Sequence, residues 1–272
     1  MQKQRLIPYA GGVLLALALI GAAAATGASP RPVYKPPQRY YLALGDSIAY
    51  GLQPGKGQST GYAGVVAARL RAPVAVNYGC PGETTATFVK GGCPWLGEGK
   101  KTHDPFRGSQ LDAAVAFLKA HRSEAGLVTL TLWGNDVFEA FAPCRATVTC
   151  IRNRGAKVTA RIAANLGSIL RRLHAAAPRA TVVVTGAWNF DTDRLAELNP
   201  FFWSVDDAIR GAAAKEHARF ADVRPLFNPP GIAAEKRRLC AYSYICSDDD
   251  VHPNDAGYRA IAGAVLSRAA LR

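Results

Sequence analysis

The chain has 272 residues, of which 49% are apolar and 19% charged. That balance excludes intrinsic disorder and lets one large domain or two small ones bury a core. Six cysteines are too few to make a disulfide-dominated scaffold, and 33 Lys and Arg against 20 Asp and Glu give a formal charge of +13, which bears on partners and not on fold.

Lys3 and Arg5 open the chain, and an almost unbroken apolar stretch runs from Ile7 to about Ala25 before small residues and Ser29-Pro30. This is the order of a secretory signal peptide. At roughly 18 apolar residues the stretch is also long enough to hold a bilayer if it is not cleaved. We therefore expect residues 1–28 to be a signal peptide or N-terminal membrane anchor, and the protein to be secreted or extracytoplasmic. Losing Lys3 and Arg5 leaves +11 on the exported part. Residues 29–39, rich in proline and without periodicity, read as an extended linker. Residues 40–272 then form one domain.

Within that domain, short apolar runs alternate with amphipathic stretches. Residues 40–44 read as a strand ending at Gly45, 61–71 as a helix and 74–76 as a second strand. Ser109 caps a helix over 109–121, and 127–132 is β-rich up to Trp133-Gly134-Asn135. A long helix over 156–176 closes before Pro178, and 181–184 is the fourth strand. A helix near 202–217, a strand near 219–223 and a final helix opened by Pro253 complete the series. Strands separated by helices of ten or more residues imply a mostly parallel five-stranded sheet covered on both faces, a three-layer α/β/α sandwich.

Export makes the cysteines readable as disulfides. Cys80 and Cys93 are 13 positions apart, and Cys144/Cys150 and Cys240/Cys246 are each 6 apart. Of the 15 pairings that six cysteines allow, we expect these three local ones. A zinc site would need Cys-x-x-Cys or a histidine at ligand spacing, and neither is present.

Sheets of this class place chemistry at the carboxyl ends of their strands. Gly45-Asp46-Ser47 follows the first strand, Asn77 to Thr84 the second, and Trp133-Gly134-Asn135-Asp136 the third. Asp248-Asp249-Asp250-Val251-His252-Pro253 lies near the C-terminus. A serine hydroxyl needs a base, usually a histidine oriented by a carboxylate. Of five histidines, His121, His174 and His217 lie near helix ends, where a cation complements the helix dipole. His103 lies in a Gly/Lys-rich loop without an apolar frame. His252 remains as base for Ser47, with Asp249, three residues earlier, close enough in a turn to meet its Nδ1. Backbone N–H groups of Ser47 and Gly82, with the Asn135 side chain, are candidate oxyanion donors. Blander roles stay open: Ser47 as a helix cap, Asn135-Asp136 as an Asx turn, and the acidic run as a solvated loop or calcium site.

These segments resemble the blocks of the SGNH hydrolases, the GDSL esterase/lipase superfamily, and more narrowly the secreted actinobacterial-type lipases and esterases with three disulfides. Leu44-Gly45-Asp46-Ser47 resembles the first block, Asn77 to Thr84 the second, Gly134-Asn135-Asp136 the third and Asp249-Asp250-Val251-His252 the last. The resemblance implies a flavodoxin-like sheet and ester hydrolysis without cofactor or metal. It assigns Ser47, Asp249 and His252 as the catalytic triad and Ser47, Gly82 and Asn135 as the oxyanion hole. Trp133 stands where the family has glycine, and Ile48 where Leu or Tyr is usual. The ester itself, lipid or acetylated sugar, is left open, as is a non-catalytic lipid- or glycan-binding domain on this fold. The aromatic segments 188–190 and 201–203 fit either a substrate wall or core packing. We expect a monomer without nucleic-acid partners, whose positive surface suits anionic lipids, wall polymers or acidic substrates.

Overall fold

Residues 38–56, 61–145 and 147–269 are described by the computed structural model; the expectations for residues 1–37 lie outside them. Five parallel strands, β1 (Tyr40–Gly45), β2 (Val74–Asn77), β3 (Ala125–Thr131), β4 (Thr181–Thr185) and β5 (Arg219–Ala221), form one sheet in the order β2-β1-β3-β4-β5. A second, two-stranded antiparallel ladder pairs β6 (Ser243–Tyr244) with β7 (Asp250–Pro253). The helices are α1 (Ser47–Tyr50), α2 (Gly61–Leu70), α3 (Thr85–Lys90), α4 (Pro94–Gly97), α5 (Gln110–Ala120) and α6 (Gly134–Phe141). They continue with α7 (Val148–Ala176), α8 (Leu195–Lys215), α9 (Arg224–Phe227), α10 (Ile232–Tyr242) and α11 (Asp255–Arg268).

The pattern that specifies the sheet is burial. All seven residues of β3 are buried, as are five of the six in β1, because helices cover both faces of a central parallel strand. Helix α2 packs with α11, while α5, α7 and α8 form a contiguous row. The sheet and the helix layers meet in one hydrophobic cluster built on Leu42, Leu44, Leu127, Leu130 and Val183. The expected α/β/α sandwich is therefore the observed fold.

Helix boundaries depart from the sequence reading for identifiable reasons. Helix α7 begins eight residues before the expected 156, running straight through Gly155. A Cβ there would lie 2.9 Å from the Phe201 ring, so the glycine serves the close approach of α7 and α8 and does not end the helix. Helix α8 begins at Leu195 and contains Pro200, a residue that reads as a helix boundary; the buried Leu195 and Leu198 carry the helix across it. The last helix starts from Asn254, whose side chain accepts from the Ala256 and Gly257 N–H groups, while Pro253 ends β7. Among the described residues no helix is long and apolar enough to cross a membrane.

Candidate active site

Strand β1 ends in a turn that only glycine permits. Gly45 has φ +127°, and a Cβ there would lie 1.9 Å from the Thr131 carbonyl oxygen on β3. Gln110, at the start of α5 and 1% exposed, grips this turn. Its Oε1 accepts the Gly45 N–H at 2.7 Å, and its Nε2 donates to the Gly45 carbonyl at 3.0 Å. The same Nε2 reaches Glu83 Oε2 at 2.9 Å, so one buried amide joins the turn before Ser47 to the loop after β2. Asp46 caps α1 by accepting the Ile48 N–H at 2.9 Å. Burial pushes its carboxyl up to about 7, against the opposing pull of that hydrogen bond and of the nearby His252.

Ser47 is therefore the first residue of α1 and not its cap. Its Oγ lies 2.9 Å from His252 Nε2. The ring's other nitrogen, Nδ1, lies 2.7 Å from Asp250 Oδ1, and the same oxygen accepts the His252 backbone N–H at 2.8 Å. The bond from the ring holds the Asp250 carboxyl below the usual aspartate range.

The carboxylate on the ring is thus Asp250, which corrects the expected Asp249. Asp249 sits at φ +50° in the exposed turn before β7, and no hydrogen bond or ion pair joins it to His252. The reason is local geometry. A turn would bring residues three apart together, but Asp250 and His252 both lie on β7, where residues two apart share a face.

Loops after β2 and β3 complete the site. Asn135, in the first turn of α6, donates through Nδ2 to the Glu83 carbonyl at 2.9 Å, which sets it beside Gly82. A side-chain amide has two N–H donors, so one is left. No described residue accepts from the Ser47 or Gly82 N–H groups. The neighbouring Asp136, fully buried, braces this corner by accepting the Thr85 N–H and hydroxyl, each at 2.7 Å. Its carboxyl is raised by burial. Burial likewise pushes Glu83 up to about 7.

An aromatic wall closes the site on the β4 side. A cavity of about 80 Å³ is lined by Ser47, Asn135 and His252 together with Trp133, Phe138, Trp188 and Phe190. Trp133, which stands where the resembled family has glycine, is stacked on Phe190 and edge-on to Trp188. The two aromatic segments divide: Trp188 and Phe190 face the cavity, Phe201 is core, and Trp203 lies under the Arg224 guanidinium. His103, expected without an apolar frame, stacks on Tyr50 and approaches its carbonyl through Nε2 at 2.9 Å. The disulfides are Cys80–Cys93, Cys144–Cys150 and Cys240–Cys246, with no free cysteine among the described residues.

A family model described as the GDSL-like lipase/acylhydrolase family matches residues 43–260. The chain belongs to this family. As a member it is a carboxylic ester hydrolase, and the matched span contains Ser47, the three strand-end loops and His252. Among solved structures, an extracellular lipase from Streptomyces rimosus is 21% identical with a TM-score of 0.62, covering 85% of this chain and 99% of that one. Phospholipase A1 from Streptomyces albidoflavus NA297 is 20% identical with a TM-score of 0.59, over 85% and 99% of the two chains. An acetylxylan esterase from Geobacillus stearothermophilus is 16% identical with a TM-score of 0.53, over 86% and 95%. At these identities the likeness is one of fold. No curated protein matches the chain.

Three residues of the site escape the sequence reading. Asp250 had a signal, the two-residue spacing to His252 on a strand, but a four-residue strand is too short to announce itself by alternation. Gln110 and Phe138 had none: one lies 65 positions from Gly45, and the other is an ordinary apolar residue of a short helix.

Proposed function

We propose that the protein is an exported serine esterase or lipase that cleaves carboxylic esters through an acyl-enzyme. The observation that carries this reading is the unbroken relay from Ser47 Oγ to His252 Nε2 at 2.9 Å and from Nδ1 to Asp250 at 2.7 Å. Ser47 attacks the ester carbonyl as His252 takes its proton. Asp250 fixes the ring orientation and stabilises the imidazolium. The oxyanion meets the N–H groups of Ser47 and Gly82 and the second N–H of Asn135. His252 then protonates the departing alcohol, and water repeats the sequence on the acyl-enzyme. Three disulfides support an oxidising compartment, in keeping with the N-terminal export signal read from the sequence. A cavity of only about 80 Å³ beside Ser47 also suits an acetyl group, which favours sugar O-acetylesterase activity as the second reading.

Ser47→Ala tests the mechanism. Turnover of p-nitrophenyl esters should fall about 10⁴-fold or more with the thermal unfolding curve unchanged, and wild type should form a fluorophosphonate adduct on the peptide containing Ser47. Undiminished activity in the variant would remove Ser47 from the reaction.

A further inference from the structure

The parallel strands start at the pole opposite the catalytic rim, and a cleft of about 890 Å³ opens there. Gln38 before β1, Ala125 of β3, Thr181 of β4 and Arg219 of β5 all line it. It lies about one strand length from the rim, roughly 20 Å. The same topology brings the C-terminal ends of α5, α7, α8 and α11 to this pole. Lys119, Lys215 and Arg268 in their last turns offset the negative helix ends. That effect fades within the last turn, and it does not account for Arg122 and Arg179, which stand in the loops past α5 and α7. Both are exposed, and among the described residues neither has a carboxylate within ion-pair distance. Arg179 lines the cleft beside Arg171 and His217, and a shallower hollow that shares Arg179 carries Lys119 and Arg122. The nearby carboxylates Glu124 and Glu216 already face Arg39 at 3.7 Å and Arg171 at 2.6 Å, so the pole keeps an excess of positive charge.

We propose that this pole is a docking surface for an anionic phospholipid membrane, its arginines receiving lipid phosphates while the catalytic rim faces away from the bilayer. The proposal does not depend on the serine-hydrolase reading of Ser47 and His252. Two features select a lipid surface as the occupant. The cations spread over two adjoining hollows and do not converge on one point, which suits an array of phosphates better than a single small anion. The chain also enters the domain here. Gln38, in the wall of the cleft, is the first described residue, and the apolar stretch over residues 7–25 precedes it in sequence. Residues 26–37 between them span at most about 40 Å when fully extended. A bilayer that holds the apolar stretch is therefore within reach of this pole, and the tether raises the effective concentration of surface phosphates around it.

The test is lysine footprinting of the full chain, reconstituted in vesicles of phosphatidylcholine alone or with about 30% phosphatidylglycerol. Amine acetylation at Lys119, on the pole, is compared with that at Lys236, exposed on α10. In the anionic vesicles labelling of Lys119 should fall about five-fold and that of Lys236 less than about two-fold. Salt at about 0.5 M should restore the Lys119 signal, because it screens surface charge. Arg122→Glu combined with Arg179→Glu should abolish the protection, and Arg122→Lys combined with Arg179→Lys should retain it. Thermal melts establish that both double variants fold, and their turnover of p-nitrophenyl acetate should stay within about two-fold of wild type, since the reacting centre lies at the other pole. Equal labelling of Lys119 in the two kinds of vesicle, equal protection of Lys236, or protection that survives charge reversal overturns the proposal. Protection by soluble polyphosphate and not by anionic vesicles overturns it too, and would assign the pole to a soluble polyanion.

Discussion

Ser47 stands at the end of β1, where Gly45 and Asp46 bond to Gln110, Thr131 and Ile48 in surroundings closed to solvent. His252 comes instead from a two-stranded ladder whose outer turn, Ser247 to Asp249, is exposed. The first is held from within the core by groups far apart in sequence. The second is held locally, by an acceptor two residues away and by the nearby Cys240–Cys246 bridge. Ser47 and His252 are thus placed by different physics, and damage on the two sides should look different: lost stability together with lost activity on one, lost activity alone on the other.

The largest effect should come from the exposed side. Asp250→Asn should lower kcat about 10³–10⁴-fold, since the amide no longer holds the imidazole tautomer, with little change in Tm. Asp249→Asn should change kcat less than about two-fold, as expected for a solvated surface site. Steady-state kinetics on the two variants decides between the two carboxylates. Equal losses, or a larger loss at position 249, would show that the ring partner in solution is not Asp250.

On the buried side, Gln110→Met keeps the side-chain volume and removes three hydrogen bonds at once. Leaving the Gly45 N–H unpaired and taking one partner each from the Gly45 carbonyl, which keeps the Cys80 N–H, and from the Glu83 carboxyl should cost about 2–4 kcal/mol, read as a lower urea midpoint. Because the turn carries Ser47, kcat should fall as well. A variant with unchanged stability and reduced kcat would erase the contrast between the two sides.

The smallest effect concerns pH. Asp46 and Glu83 are each pushed up to about 7 by burial, so the native state holds protons that the unfolded chain releases above about pH 4. The stability they contribute is fully present below the ordinary carboxylate range and is lost as pH rises through about 7. Asp250 has the opposite sign: its carboxyl is lowered by the His252 ring, and its contribution fades as pH falls through its native-state value. Stability should therefore decline by about 1–3 kcal/mol between pH 5 and pH 8. That corresponds to about 2–4 °C of Tm for each kcal/mol in a domain of this size. Asp46→Asn and Glu83→Gln should each flatten the slope, as measured by thermal melts across that range.

Much of this contrast was legible before the structure. The strand cores Leu42–Leu44 and Val182–Val184 are unbroken apolar runs, and such runs between helical periods specify a buried parallel sheet because both faces must be covered. Ser47, Gly82, Asn135 and His252 follow strand ends or precede a helix, so motif and topology point to the same rim. What resisted reading was short or long-range. The β6–β7 ladder has two residues in one strand and four in the other, below the length at which alternation can be recognised, and that is why the acid was placed one residue early. Helix α6 has Trp133 as its N-cap and no side-chain cap hydrogen bond, so no local signal marks Phe138 as part of the wall around Ser47.

The sequence by itself determined the class of fold, the order of its elements and the local cysteine pairs, and it pointed to Ser47 and His252, because each depends on residues near one another or on a periodicity that burial imposes. Only the tertiary structure decided that Asp250 and not Asp249 meets the ring, that Gln110 locks the Ser47 turn to the loop after β2, and that Phe138 and Phe190 line both a small cavity and a larger groove. Those depend on which face a two-residue step presents and on residues 52 to 65 positions apart meeting in space, and no local pattern in a chain encodes such meetings.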